Sequence, residues 1–139
     1  MNILIIDGQG GGVGRQLIES IKREFPEVVL TAVGTNAWAT QSMLKAGADH
    51  AATGENAVIV GCRTADIIVG PVGIVIADSL FGEITPAMAV AVGQSAAQRI
   101  LLPMNLCGNH IAGVGEITVS QLMDDCLQTL RQIIGGKTA

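Results

Sequence analysis

Hydrophobic residues in this chain fall into short unbroken runs that alternate with longer stretches at helical spacing. Asn2 to Ile6 is an apolar run ending at Asp7-Gly8, the pattern of a central strand. From Val13 to Phe25 the spacing turns helical. Val13, Leu17, Ile18, Ile21 and Phe25 make one stripe, and Arg15, Gln16, Glu19, Lys22 and Arg23 face away. Pro26 stops that helix, and Val28 to Val33 predicts a second buried strand. Asn36 suits the N-cap of a helix running through Met43 and Leu44 to Gly47. Asp49 to Thr53 predicts a short third strand.

The middle of the chain is less plain. Ala57 to Val60 has strand propensity, yet a helix is needed there before the Ile67-Ile68-Val69 strand. Ile74 to Ala77 extends or follows that strand. Thr85-Pro86 is a helix start, with the cap residue followed by proline. Ala87 to Ala97 is apolar nearly all round, which predicts a helix covered on most sides. Ile100 to Leu102 predicts a strand ending at Pro103, and His110 to Val114 a last one. Thr118 and Gln121 form a capping box for a final helix whose stripe is Leu122, Met123, Cys126, Leu127, Leu130, Ile133 and Ile134.

Strands alternating with helices imply a doubly wound, mostly parallel α/β sheet with helices on both faces. No linker, repeat or low-complexity segment interrupts residues 1–139, so a single domain is expected. Composition agrees: 49% of residues are hydrophobic, 14% are charged, and the mean hydropathy is +0.49. Such values suit a parallel sheet buried on both faces. The longest apolar stretch, Ile67 to Ala77, falls short of the ~20 residues a membrane helix needs. The net charge of −4, the absence of a basic run and the scarcity of aromatic side chains argue against nucleic acid as a partner. Met1 leads straight into the first strand, which predicts a cytoplasmic protein without a signal peptide. Cys62, Cys107 and Cys126 read as buried, reduced thiols.

The chemistry concentrates in Asp7-Gly8-Gln9-Gly10-Gly11-Gly12-Val13-Gly14-Arg15, where five of the eight residues from Gly8 to Arg15 are glycine. Between a strand and an amphipathic helix, such a loop offers free amides and a helix dipole to an anion. The absent side chains let a pyrophosphate approach the backbone. One or two glycines would suffice for a tight turn alone. A strict G-x-G-x-x-G fails at Val13; the fit is G-x-x-x-G-x-G through Gly8, Gly12 and Gly14. That pattern resembles the cofactor loop of the short-chain dehydrogenases. It also resembles a P-loop of the partition-ATPase type, but Arg15 and Gln16 stand where lysine and Ser/Thr belong.

Two departures matter. Asp7 stands where the dehydrogenase loop has threonine, and a carboxylate beside a pyrophosphate repels it unless it points away or holds a cation. The second strand ends in Gly34-Thr35-Asn36, with no acid to hold a ribose diol. Thr35, Asn36 and Arg15 suit a 2′-phosphate, as in NADP, or a mononucleotide. The chain has no tyrosine, which excludes the Tyr-x-x-x-Lys chemistry of those dehydrogenases. Lys45 to His50 resembles a scaffold turn of larger dehydrogenases.

Other candidates line the same sheet edge. Asp78, Ser79 and Glu83 follow a predicted strand, with a solvated loop as the plain alternative; Asn105, Asn109 and His110 follow another, where the plain alternative for His110 is a satisfied structural histidine. Cys107 to His110 has the C-x-x-H spacing of half a metal site, with no second half, so no metal is expected. Asp124-Asp125 reads as a solvated helix face.

End to end, the chain resembles a small bacterial family of Rossmann-like proteins catalogued as a domain of unknown function. The resemblance rests on Ile5 to Arg15 and on Leu102-Pro103-Met104-Asn105 to Gly113. It implies the fold and brings no reaction. Three functions stay open. The first is a nucleotide or dinucleotide binder. The second is a small enzyme with a site built across a homodimer, using Asp7, Asp78 or His110 as acid or base. The third is a ligand-free interaction module. A homo-oligomer is expected under each, because so apolar a chain buries more than its own core.

Overall fold

The computed structural model describes residues 1–104 and 106–136. Strands β1 (Asn2–Asp7), β2 (Val29–Gly34), β3 (His50–Thr53), β4 (Ile67–Pro71) and β5 (Gln98–Leu102) form one parallel sheet in the order β3-β2-β1-β4-β5. Helices α1 (Gly12–Glu24), α2 (Ala37–Lys45), α3 (Glu55–Thr64), α4 (Pro86–Gln94) and α5 (Val119–Ile134) connect and cover it. This is the doubly wound α/β arrangement.

Strand periodicity divides the core. Ile3 and Ile5 of β1 point to one face, where they pack with Leu17, Ile18 and Ile21 of α1, Met43 of α2 and Leu122 to Leu130 of α5. Leu4 and Ile6 point to the other, against Val58 and Cys62 of α3 and Met88 and Val92 of α4. Each such side chain, fully buried, contributes about 1.5–3 kcal/mol. β1 pairs with both β2 and β4, so the strand order reverses beside it. Ligands of open α/β sheets bind at the carboxyl ends of the strands at that reversal.

Local chemistry explains the boundaries. Asn36 caps α2 by accepting from Ala39 N–H at 2.8 Å, Thr85 caps α4 with proline at its start, and Thr118 with Gln121 closes a capping box on α5. Residues 55–64 are helical, as a crossover between parallel strands requires. After β4 the chain makes a 3-10 turn over Val72–Val75 instead of prolonging the strand.

Two expectations fail. His110 to Val114 forms no strand: the segment is mostly exposed, and a turn at residues 112–113, where Gly113 takes φ of +84°, breaks the extended run. Helix α4 is not covered on most sides. It packs on α3 and on the 3-10 turn, and leaves Val90 52% exposed. Among the described residues no helix is long and apolar enough to cross a membrane.

Candidate functional site

The glycine loop joins β1 to α1 at the carboxyl edge, as its sequence requires. Asp7 closes β1 and is only 3% exposed. Its Oδ1 accepts from Gly8 N–H at 2.8 Å and its Oδ2 from Gly14 N–H at 2.7 Å. The carboxylate therefore folds back into the first turn of α1 and satisfies donors that a helix start leaves open. Burial pushes the Asp7 pKa up, and the nearby Glu83 charge adds to the rise. The amides of Gly14, Gly8 and Val13 pull against both. Asp7 thus points into the loop, with both carboxylate oxygens engaged by its amides. It is an internal acceptor at the helix terminus.

The glycines differ in what the fold asks of them. A Cβ on Gly14 would stand 2.4 Å from Met43 Sδ, and one on Gly11 would stand 2.8 Å from Ala39 Cα with φ at +72°. A Cβ on Gly8 would meet Glu83 Oε1 and Thr35 Oγ1, each at 2.6 Å. Close approach or left-handed backbone requires Gly14 and Gly11, while Gly8 answers to the present placing of the Glu83 and Thr35 side chains. Gly10 and Gly12 are under neither constraint. A Cβ at either would meet nothing within 4 Å, and neither has positive φ. Both are exposed, and neither amide donates a hydrogen bond within the described residues.

Across the loop lies Glu83, from the segment that follows β4. Its Oε1 accepts from Gln9 N–H at 2.6 Å and from Thr35 Oγ1 at 2.9 Å, and its Oε2 accepts from Asn36 Nδ2 at 2.9 Å. Asn36 Nδ2 also donates to Gln9 O at 3.0 Å. Burial raises the Glu83 pKa, but the hydrogen bonds from Gln9, Thr35 and Asn36 outweigh it and hold the carboxyl below its ordinary value. β2 indeed ends without an acid, yet a carboxylate reaches its end from elsewhere. Sequence placed Glu83 at the edge; its reach to Gln9, 74 positions away, has no local signal.

The remaining candidates scatter. Ser79 is 3% exposed and donates to Gly73 O, so its hydroxyl is spent inside its own turn. Asp78 is exposed, with φ at +66° and its N–H bonded to Ile84 O. His110 and Asn109 lie exposed in the segment before α5, and Asn105 lies outside the described residues. Arg15 is exposed and pairs with Glu19 at 3.3 Å. Asp49 bonds Leu30 N–H and Lys22 Nζ, in keeping with a scaffold turn. Burial pushes the Cys62 thiol up to about 11 and the Cys126 thiol up to about 12, whereas Cys107, expected to be buried, is exposed because it sits in a surface turn. A hollow of about 500 Å³ runs along α2, lined by Ala37, Trp38, Gln41, Ser42 and Lys45. It begins beside the loop, since Ser42 Cβ would lie 3.2 Å from a Cβ on Gly11. No group of three or more His, Cys, Asp or Glu among the described residues is gathered to hold a metal ion.

No curated protein matches the chain. Among solved structures it is similar to a dodecameric FMN-dependent UbiX-like decarboxylase from Escherichia coli O157:H7. The identity is 16%, 97% of this chain and 94% of that one are covered, and the TM-score is 0.47. The profile of a family described as a domain of unknown function, DUF3842, matches residues 2–135. With nearly its whole length matched, from the first strand through the last helix, the chain belongs to that family.

Proposed function

We propose that this protein binds a nucleotide or dinucleotide through Gly8 to Arg15, with the phosphates against the exposed crest of the loop. The observation that carries this reading is that Gly10 and Gly12 are glycine where the fold has no use for glycine. Glycine there costs backbone entropy and contributes no packing. What it provides is unobstructed access to two amides at the start of a helix, the feature a phosphate needs. Thr35 and Asn36 stand at the end of β2 as donors, and they favour a ligand with a further phosphate on its ribose, as in NADP. The hollow along α2 leaves room beside the loop for the rest of the ligand. Among the described residues no nucleophile and base are brought together, so the proposal is binding without an assigned reaction.

Calorimetric titration with NADP, NAD, ATP, FAD and FMN tests it, on wild type and Gly12→Val. Binding by wild type and its loss in a variant that still melts cooperatively are expected. Absence of heat from well-folded wild type with all five would overturn the proposal. A homo-oligomer through α4 is a second reading, because its outer residues Ala87, Val90, Gly93 and Gln94 carry no charge. Sedimentation of Val90→Glu tests it: a shift to a smaller species supports the assembly, and an unchanged profile removes it.

A further inference from the structure

We infer that Gln9 N–H, the Thr35 hydroxyl and the Asn36 amide form a seat for a phosphate monoester of the ligand. In the structure the chain's own Glu83 carboxylate occupies that seat as a tethered competitor. This rests on the proposed nucleotide reading and adds to it which ligand group is selected and what guards its place.

The three donors come from two different loops, after β1 and after β2, and converge on one carboxylate within 2.6–2.9 Å. Convergent N–H and O–H donors without a fixed positive charge nearby are an anion receptor. Gly8 is part of it, because any side chain there would strike both Glu83 Oε1 and Thr35 Oγ1 at 2.6 Å. The space is therefore shaped for an oxygen-bearing group, and Glu83 is the group that fills it.

The arm that delivers Glu83 is well anchored. Leu80 and Ile84 on either side are 2% and 0% exposed, and Glu83 N–H bonds Leu80 O. Asp78, Leu80 and Phe81 all take positive φ, a conformation L-residues with a Cβ resist. The backbone is thus committed to aiming Glu83 at the loop. The side chain can leave by rotation about its own bonds, without unseating Leu80 or Ile84. One feature makes exchange for a ligand feasible: its charge raises the proton affinity of buried Asp7, an unfavourable pairing that departure relieves.

NADP and NAD differ by one phosphate monoester and make the test specific. Calorimetry on the full chain compares both ligands with wild type, Glu83→Ala and Gly12→Val. Glu83→Gln replaces the alanine variant if that one does not fold. Glu83→Ala is expected to raise NADP affinity at least tenfold while moving NAD less than threefold. NADP binding that ignores Glu83 yet vanishes in Gly12→Val would overturn the tethered competitor and leave the nucleotide reading standing. An equal rise for both ligands would overturn the phosphate seat. No binding of NADP or NAD by any form, the emptied Glu83→Ala seat included, would overturn the phosphate seat, and the nucleotide reading falls with it only if ATP, FAD and FMN give no heat either.

Discussion

The root and the crest of the glycine loop obey different demands, though one short run of sequence encodes both. At the root, Gly11 and Gly14 press against α2, and the buried Asp7 carboxylate ties the loop to the first turn of α1. At the crest, a Cβ on Gly10 or Gly12 would meet nothing, and the carboxylate in attendance, Glu83, comes from the far side of the sheet reversal. The root is what this fold needs in order to fold. The crest is what remains unexplained by folding, and so it is where a ligand is to be sought.

Gly11→Ala should break the root most severely. It adds a Cβ 2.8 Å from Ala39 Cα on left-handed backbone, and strain plus overpacking predict a loss of about 3 kcal/mol in denaturant melts. Asp7→Ala comes next. It strands the Gly8 and Gly14 amides beneath the loop and should cost about 2 kcal/mol by the same measurement. At the crest the sign reverses. Gly12→Ala should stabilise the fold by about 0.5 kcal/mol, since alanine loses less entropy in a helix, while weakening nucleotide binding. A crest variant that destabilised as much as a root variant would erase the distinction.

The two carboxylates should also titrate in opposite senses. The Asp7 pKa in the fold lies above its ordinary 3.8. Its contribution is therefore fully present below that value and is lost as pH rises through the raised one. The Glu83 pKa in the fold lies below its ordinary 4.5, so its contribution is present above that value and is lost as pH falls. In melts across the acid range, Asp7→Asn should gain on wild type as pH climbs, and Glu83→Gln should lose its penalty as pH drops. The smallest expected effect is on the thiols. With pKa values near 11 and 12, Cys62 and Cys126 should resist a thiol reagent at neutral pH until the chain unfolds.

What the sequence revealed was local. A continuous apolar run, a change to helical spacing and a cap residue each act within a few positions. Accordingly β1, α1, the Asn36 cap, the Thr85-Pro86 start and the Thr118 capping box are all present. What it hid was relational. His110 to Val114 has strand-like residues but turns at Gly113 and joins no sheet, and the outer face of α4 is apolar yet uncovered. Glu83 finds Gln9, Thr35 and Asn36 only after β4 has been laid beside β1. Likewise, nothing in the order Asp7-Gly8 says that the carboxylate turns into the helix rather than out toward a ligand.

Trp38 gives the molecule an optical property of its own. It is the chain's one tryptophan in the absence of any tyrosine, it is 78% exposed, and it lies two positions beyond the Asn36 cap that grips Glu83. Ultraviolet emission excited at long wavelength therefore originates at a single spot on the rim of the site, from an indole already in water. Whatever covers that rim, a base, a flavin ring or another chain, must dim the emission or move it to shorter wavelength. The protein carries its own unlabelled indicator of occupancy.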